Sequence, residues 1–217
     1  MVDTKKYKQH LLITSFIVAA VIFLAGIALG WTIDNFKVNT ITSALNQNEL
    51  NTESFLLESQ FVENFGGDYC KLLNLRIKDL QKSIAQTSEQ LSTWGESKKF
   101  KTSDFDYLKR KYFLLEIKFL FLLQDMTHTC GKSYDTILFF YNIDDSQSMR
   151  QGYALDEVRM TRNDLIVLSF DKNYVAEPLM LVLLTKYDIE SAPAIVINGQ
   201  RTISGYTSAE KINALLD

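Results

Sequence analysis

Cys70 and Cys130 are the only thiols in the chain, and a pair of thiols serves either as a fixed cross-link or in thiol–disulfide exchange. A second cluster, Asp144-Asp145-Ser146 with Ser148, joins carboxylates to hydroxyls. Such a cluster turns to metal binding or hydrolysis only when further ligands or a base complete it. Neither His10 nor His128 is near it in sequence, and the helix N-terminus on which it falls is a poor place for a cation. No metal and no cofactor is expected, and Asp145 reads as an ordinary helix cap. His128 stands two residues before Cys130. A helix C-terminus is a usual place for histidine, so His128 is read as structural rather than as a thiol activator.

The 217 residues suffice for one ordinary domain plus a substantial additional element. A formal charge of −3, with no long basic run, excludes a nucleic-acid surface. Both prolines lie in the last third, which leaves room for long helices before them. Leu11 to Trp31 holds no charged residue and is long enough for a bilayer core of about 30 Å. Lys5, Lys6 and Lys8, together with His10, precede it, whereas Asp34 and Lys37 cancel after it. The positive-inside rule then places residues 1–10 in the cytoplasm, 11–31 across the membrane and the remainder outside. A cleaved signal peptide ending near Gly26-Ile27-Ala28 is the competing reading, although the apolar run exceeds a usual signal core. In either reading the body is extracytoplasmic, where cysteines tend to pair, and with the favoured uncleaved anchor it is held at the cell membrane.

Residues 32–131 are expected to be largely helical, with a hairpin over about 70–130. Leu73, Ile77, Leu80, Ile84, Thr87, Leu91 and Trp94 alternate spacings of four and three, as do Phe105, Leu108, Tyr112, Leu115, Phe119, Leu122 and Met126. Two such seams make a coiled-coil-like pair. Gly95 to Thr102 reads as the turn, and Gly66-Gly67-Asp68 as a break before the hairpin. Antiparallel helices bring Cys70 and Cys130 together at the open end. A disulfide there closes a loop of about 60 residues, worth roughly 4 kcal/mol by loop entropy. A structural staple is the first reading, with an exchangeable redox pair and two free thiols as alternatives. Phe113, Leu114, Ile117, Leu120, Phe121 and Leu123 add a second apolar face to the later helix, expected to pack on the following domain or on the membrane-proximal helix, or to dock a partner.

From residue 132 the pattern changes to βαβαββα. Thr136–Tyr141 and Leu165–Phe170 read as buried strands and Ala194–Ile197 as a third. Asn198-Gly199 suits a type I′ turn into Arg201–Ser204. A capping box, Thr207-Ser208-Ala209-Glu210, opens the last helix. The helix Leu179–Leu184 is apolar nearly all round, with its second face expected against the hairpin.

This order, with Phe140-Tyr141, Leu155-Asp156-Glu157-Val158 and Lys186-Tyr187-Asp188-Ile189 leading to Ala192-Pro193, resembles the thioredoxin superfamily over residues 133–217. Gly205 matches a family glycine before the final helix. Gln151-Gly152 resembles membrane-anchored prokaryotic members that carry Gln-Gly just past the second cysteine. The resemblance implies an α/β thioredoxin-like domain at 132–217 behind a transmembrane helix and a helical hairpin. It also implies a cis Pro193 beside the redox position, and it puts Asp145 and Ser148 in the places of the two active-site cysteines. Neither residue can form a disulfide. The expected function is therefore binding: a redox-inactive, membrane-tethered scaffold or chaperone-like module that meets an extracytoplasmic polypeptide or a membrane-protein partner beside Ala192 and Pro193. The alternative is an atypical oxidoreductase working through Cys70 and Cys130.

Overall fold

The computed structural model describes residues 14–28, 54, 56–64, 66–96, 102–162 and 164–216. The chain divides into two compact units, Met1–Gly67 and Asp68–Asp217.

In the first unit residues 14–28 and 56–64 are helical. The former carries exposed Phe16, Ile22, Phe23 and Leu24 and covers the middle of the expected span, whose ends lie outside the described residues. Among the described residues, no helix is long and apolar enough to cross a membrane. Ile41 and Leu45, which suggested an earlier helix, also lie outside them. The unit closes at Gly66 and Gly67, whose φ values of 82° and 152° belong to glycine.

The second unit begins with the hairpin, α1 (Tyr69–Glu96) and α2 (Thr102–Cys130). Asp68 caps α1, its Oδ1 accepting the Lys71 N–H at 2.9 Å. The two heptad seams meet as expected: Leu73, Ile77, Leu80 and Thr87 are buried with Leu108, Leu115, Phe119, Leu122 and Met126. Near the open end the Tyr69 hydroxyl donates to Asp125 Oδ2 at 2.7 Å. Cys70 and Cys130 are bonded there.

Behind the hairpin come β1 (Thr136–Tyr141), α3 (Ser146–Thr161), β2 (Ile166–Asp171), α4 (Pro178–Lys186), β3 (Ala194–Ile197), β4 (Arg201–Ser204) and α5 (Ala209–Leu216). The sheet order is β2-β1-β3-β4. β1 runs parallel to β2 and antiparallel to β3, and β3 runs antiparallel to β4. Asn198 and Gly199 take φ values of 50° and 66°, both positive as a type I′ turn demands.

Alternation in β1 sorts the core into two layers. Ile137 and Phe139 join Leu155, Val158, Ile195 and Ile212, sealed by α3 and α5. On the other side Phe140 stacks 5.5 Å from Phe170, and Phe170 meets Phe113 of α2 edge-on at 5.5 Å. The surplus apolar face of α2 is thus largely consumed by the sheet. Phe113, Ile117, Leu120 and Leu123 are buried, while Leu114 and Phe121 are not.

Two expectations need correcting. The outer face of α4 does not rest on the hairpin: Leu181 is 70% and Val182 58% exposed, and only Met180 and Leu183 are buried. At the start of α4 the hairpin is joined to it by Arg110 Nε, which donates to Glu177 Oε2 at 2.8 Å. The capping box at Thr207 does not form either. Ser208 caps α5, accepting the Lys211 N–H at 3.4 Å; the Thr207 N–H is bonded to Gln151 and the Thr207 hydroxyl is buried with no partner among the described residues.

Candidate functional site

Asp145 and Ser148 sit one helical turn apart at the start of α3, where unpaired backbone N–H groups gather. The Asp145 Oδ2 accepts the Ser148 N–H at 2.8 Å and the Ser148 hydroxyl at 2.7 Å. Ser148 Oγ in turn accepts the Asn142 N–H at 3.1 Å. The Ser148 hydroxyl bond, then the backbone bonds, hold the Asp145 carboxyl below its ordinary range. This closed network leaves Ser148 buried and Asp145 ionised. It holds no thiol, and the Ser148 hydroxyl donates to a cap rather than to a base.

Three links draw this turn toward the rest of its sheet end. Gln151, fully buried, is doubly bonded to the chain at Thr207: its Oε1 accepts the Thr207 N–H at 2.7 Å and its Nε2 donates to the Thr207 carbonyl at 3.2 Å. The Arg150 guanidinium lies 4.6 Å from the Tyr206 ring centre. The Gly205 N–H donates to the Pro193 carbonyl at 2.7 Å. The Ala192–Pro193 bond is cis, and Ala194 pairs with Phe140 near the end of β1. Asp145, Ser148, Ala192 and Pro193 therefore converge at the C-terminal end of β1. Met149 (59%), Tyr153 (68%), Ile143 and Tyr206 stand exposed on the same segments.

Cys70 and Cys130 belong to the opposite end. The C-terminal turn of α2 lines a cavity of about 470 Å³ together with the start of β1 and the Asn198–Gln200 turn. Leu123 and Leu138 form part of its floor, and Thr127, His128, Tyr134 and Asp135 part of its rim. Six residues of β1 at about 3.3 Å each separate that end from Asp145, roughly 17 Å or more. His128 is among the residues that line the cavity.

A buried carboxylate escaped the sequence reading. Glu116 of α2 is 1% exposed, and its Oε1 accepts the Ser169 N–H of edge strand β2 at 3.0 Å. Burial pushes its carboxyl up to about 8, against the lowering effect of the Ser169 N–H and the Tyr112 hydroxyl. Oε2 meets no partner among the described residues. Burial also raises Tyr112, and it pushes Tyr141 up to about 12 with help from the Asp171 charge. The signal available in sequence was a single acid in the run Phe113–Leu123, which is apolar apart from Glu116 and Lys118. Gln151 carried no signal beyond the resemblance. Among the described residues no group of acidic, histidine or cysteine side chains suits a metal ion.

Among solved structures the chain is similar to a malarial protein, at 18% identity over 39% of this chain and 94% of that one, with a TM-score of 0.31. It is also similar to thioredoxin-2, a component of the malaria parasite protein secretion machinery (16% identity, 38% and 81% covered, TM-score 0.32). Chloroplastic thioredoxin z matches at 18% identity, 43% and 84% covered, TM-score 0.33. No protein-family model and no curated protein matches the chain. The fold is thioredoxin-like, an assignment that rests on the strand order β2-β1-β3-β4, the parallel and antiparallel partners of β1 and the helices that flank them.

Proposed function

We propose that this chain is a membrane-tethered, redox-inactive thioredoxin-like module that binds extended polypeptides outside the cytoplasm. The observation that carries the reading is the closed Asp145–Ser148–Asn142 network, set among exposed Ile143, Met149, Tyr153 and Tyr206. A turn that satisfies itself by hydrogen bonds and holds no nucleophile has nothing to transfer. The surrounding side chains offer apolar contact area. Ala192, half-exposed and two residues before β3, offers main-chain groups to an incoming strand. The tether is the apolar segment 11–31, with residues 1–10 cytoplasmic, argued from composition and flanking lysines. The binding mode is a fold-level analogy.

The test places a photo-crosslinking residue at Ala192, Met149 or Val182 in the full chain in membranes and offers a reduced, unfolded, radiolabelled polypeptide. Adducts at Ala192 and Met149 but not at Val182 support the reading. Adducts at none of the three, from protein that resists carbonate extraction, remove it. Loss of the protein from carbonate-washed membranes removes the tether separately.

The second reading, thiol exchange at Cys70–Cys130, keeps its disulfide but has it at the other end of the sheet from Ala192 and Pro193. Opening of that bond near about −200 mV, the range of catalytic disulfides, would favour it.

A further inference from the structure

The cavity at the C-terminal end of α2 has a volume of about 470 Å³, within the range of about 300–1,000 Å³ that small-ligand sites occupy. Leu120 and Leu123 of α2 and Leu138 of β1, all buried, give it an apolar floor. Tyr187, just past α4, supplies one wall and is only 7% exposed. The Thr202 hydroxyl donates to the Tyr187 carbonyl at 2.9 Å and fixes that wall to β4. The phenol hydroxyl of Tyr187 points to the Asn198–Gln200 turn, 3.8 Å from where a Cβ on Gly199 would stand, and Gly199 is itself a lining residue. Among the described residues this hydroxyl has no hydrogen-bond partner. Burial raises its pKa, so the phenol keeps its proton and is a donor.

The carboxylate and amide acceptors of the same wall are already engaged. Asn198 Oδ1 accepts the Thr136 N–H at 2.7 Å. Asp135 accepts from Asn198 Nδ2 at 3.2 Å and pairs with the Arg162 guanidinium at 3.5 Å. At the mouth Lys132 brings a cation, its Nζ 5.0 Å above the ring of Tyr134, a lining residue. A protonated phenol on the wall, an ammonium group at the mouth and a leucine floor select a molecule with an apolar body and a negatively charged acceptor for a head. We infer that this cavity binds a small amphiphilic carboxylate, its body on Leu120, Leu123 and Leu138, its head accepting from the Tyr187 hydroxyl and its charge drawn by Lys132. The site lies at the other end of β1 from Asp145 and is independent of what binds there.

The probe is a fluoronaphthoate, followed by fluorine NMR against the full chain in lipid nanodiscs, with empty nanodiscs as background and the neutral fluoronaphthamide as its uncharged twin. The acid is expected to broaden and shift with the protein beyond the empty discs, and to bind more tightly than the amide. Tyr187→Phe keeps the ring and removes the donor, and is expected to weaken the acid by ~10-fold with an unchanged melting midpoint. Lys132→Gln, on the exposed mouth, weakens the acid and leaves the amide as it was, a split that misfolding cannot produce. Excess decanoate and excess phenylbutyrate then compete separately. Displacement by decanoate assigns the body to an acyl chain, and displacement by phenylbutyrate alone assigns it to an aromatic acid; either supports the site. Equal binding of acid and amide, or acid binding that both Tyr187→Phe and Lys132→Gln leave unchanged, overturns it. So does the absence of binding beyond the empty discs, which is the result if another part of the chain fills the cavity.

Discussion

Glu116 Oε1 stands 3.0 Å from the Ser169 backbone nitrogen, so that a helix side chain takes the place of a neighbouring strand on the open edge of the sheet. β2 ends the sheet on that side, and an unpaired edge invites pairing with another chain unless it is covered. α2 covers it. Lys109 pairs with Asp171 at the end of the same strand, and the Tyr174 hydroxyl donates to the Asp106 carbonyl at 3.3 Å. The hairpin is thereby part of the domain's own architecture rather than a stalk beneath it.

A buried carboxyl in that position makes stability depend on pH in a definite direction. The folded-state pKa of Glu116 is raised, from 4.5 to about 8, so between those values the native state holds a proton that the unfolded chain has released. The contribution is therefore complete below about 4.5 and declines as pH rises toward about 8. Glu116→Gln keeps an acceptor for the Ser169 N–H and never ionises. Its melting temperature is expected to match wild type near the acid end and to exceed it at the alkaline end. Melting curves that stay parallel across the window would show that Glu116 is not the titrating group.

Gln151 supports a prediction about the loop that carries Tyr206. Replacing it by methionine preserves volume but removes both bonds to Thr207, leaving a buried N–H and a buried carbonyl unpaired. The expected cost is about 2–4 kcal/mol, read as a lower denaturation midpoint with an unchanged slope. A loss confined to a few tenths would mean that Thr207 finds another partner.

The disulfide closes a separation of 60 residues, and most of its effect is expected on the unfolded chain. Cys70→Ser/Cys130→Ser should lose roughly 4 kcal/mol by loop entropy while the hairpin seams remain packed. Equilibrium unfolding of the oxidised wild type beside the variant measures it. No difference would mean that the open end is already held by contacts such as Tyr69–Asp125.

Much of this architecture was legible because its signals are periodic or stereochemical. Spacings of four and three placed Leu73–Thr87 against Leu108–Met126, and the Asn198-Gly199 pair announced its turn, since few residues accept positive φ at both positions. Asp145 was legible as a cap for the same local reason. What escaped was non-local. Thr207 had the pattern of a capping residue, but its backbone N–H is bonded to Gln151, 56 residues away in sequence, and the cap is Ser208. Glu116 gave no hint that its partner was a strand edge, and the apolar outer face of α4 gave no hint that Leu181 and Val182 would stand exposed. Periodicity tells which face is apolar. It does not tell which neighbour arrives to cover it.

The most direct check on the Asp145–Ser148 turn is to give it back the chemistry it lacks. The two side chains already meet at 2.7 Å across one helical turn, at a helix start that lowers the pKa of a thiol and makes it a nucleophile. Asp145→Cys/Ser148→Cys is therefore expected to oxidise to an intramolecular disulfide, seen as the loss of two hydrogens in the intact mass. It should then reduce a disulfide-bonded test protein with dithiothreitol as electron donor. The wild type, with Cys70–Cys130 intact, serves as the control and is expected to be inactive. The variant loses the Asp145 cap, so its folding is checked by the cooperativity of its melting. A folded variant that stays a dithiol, or forms the bond but turns over no faster than wild type, would mean that these positions do not stand where redox cysteines would work. The reading of the turn as a silenced exchange site would then fail, whatever binds beside it.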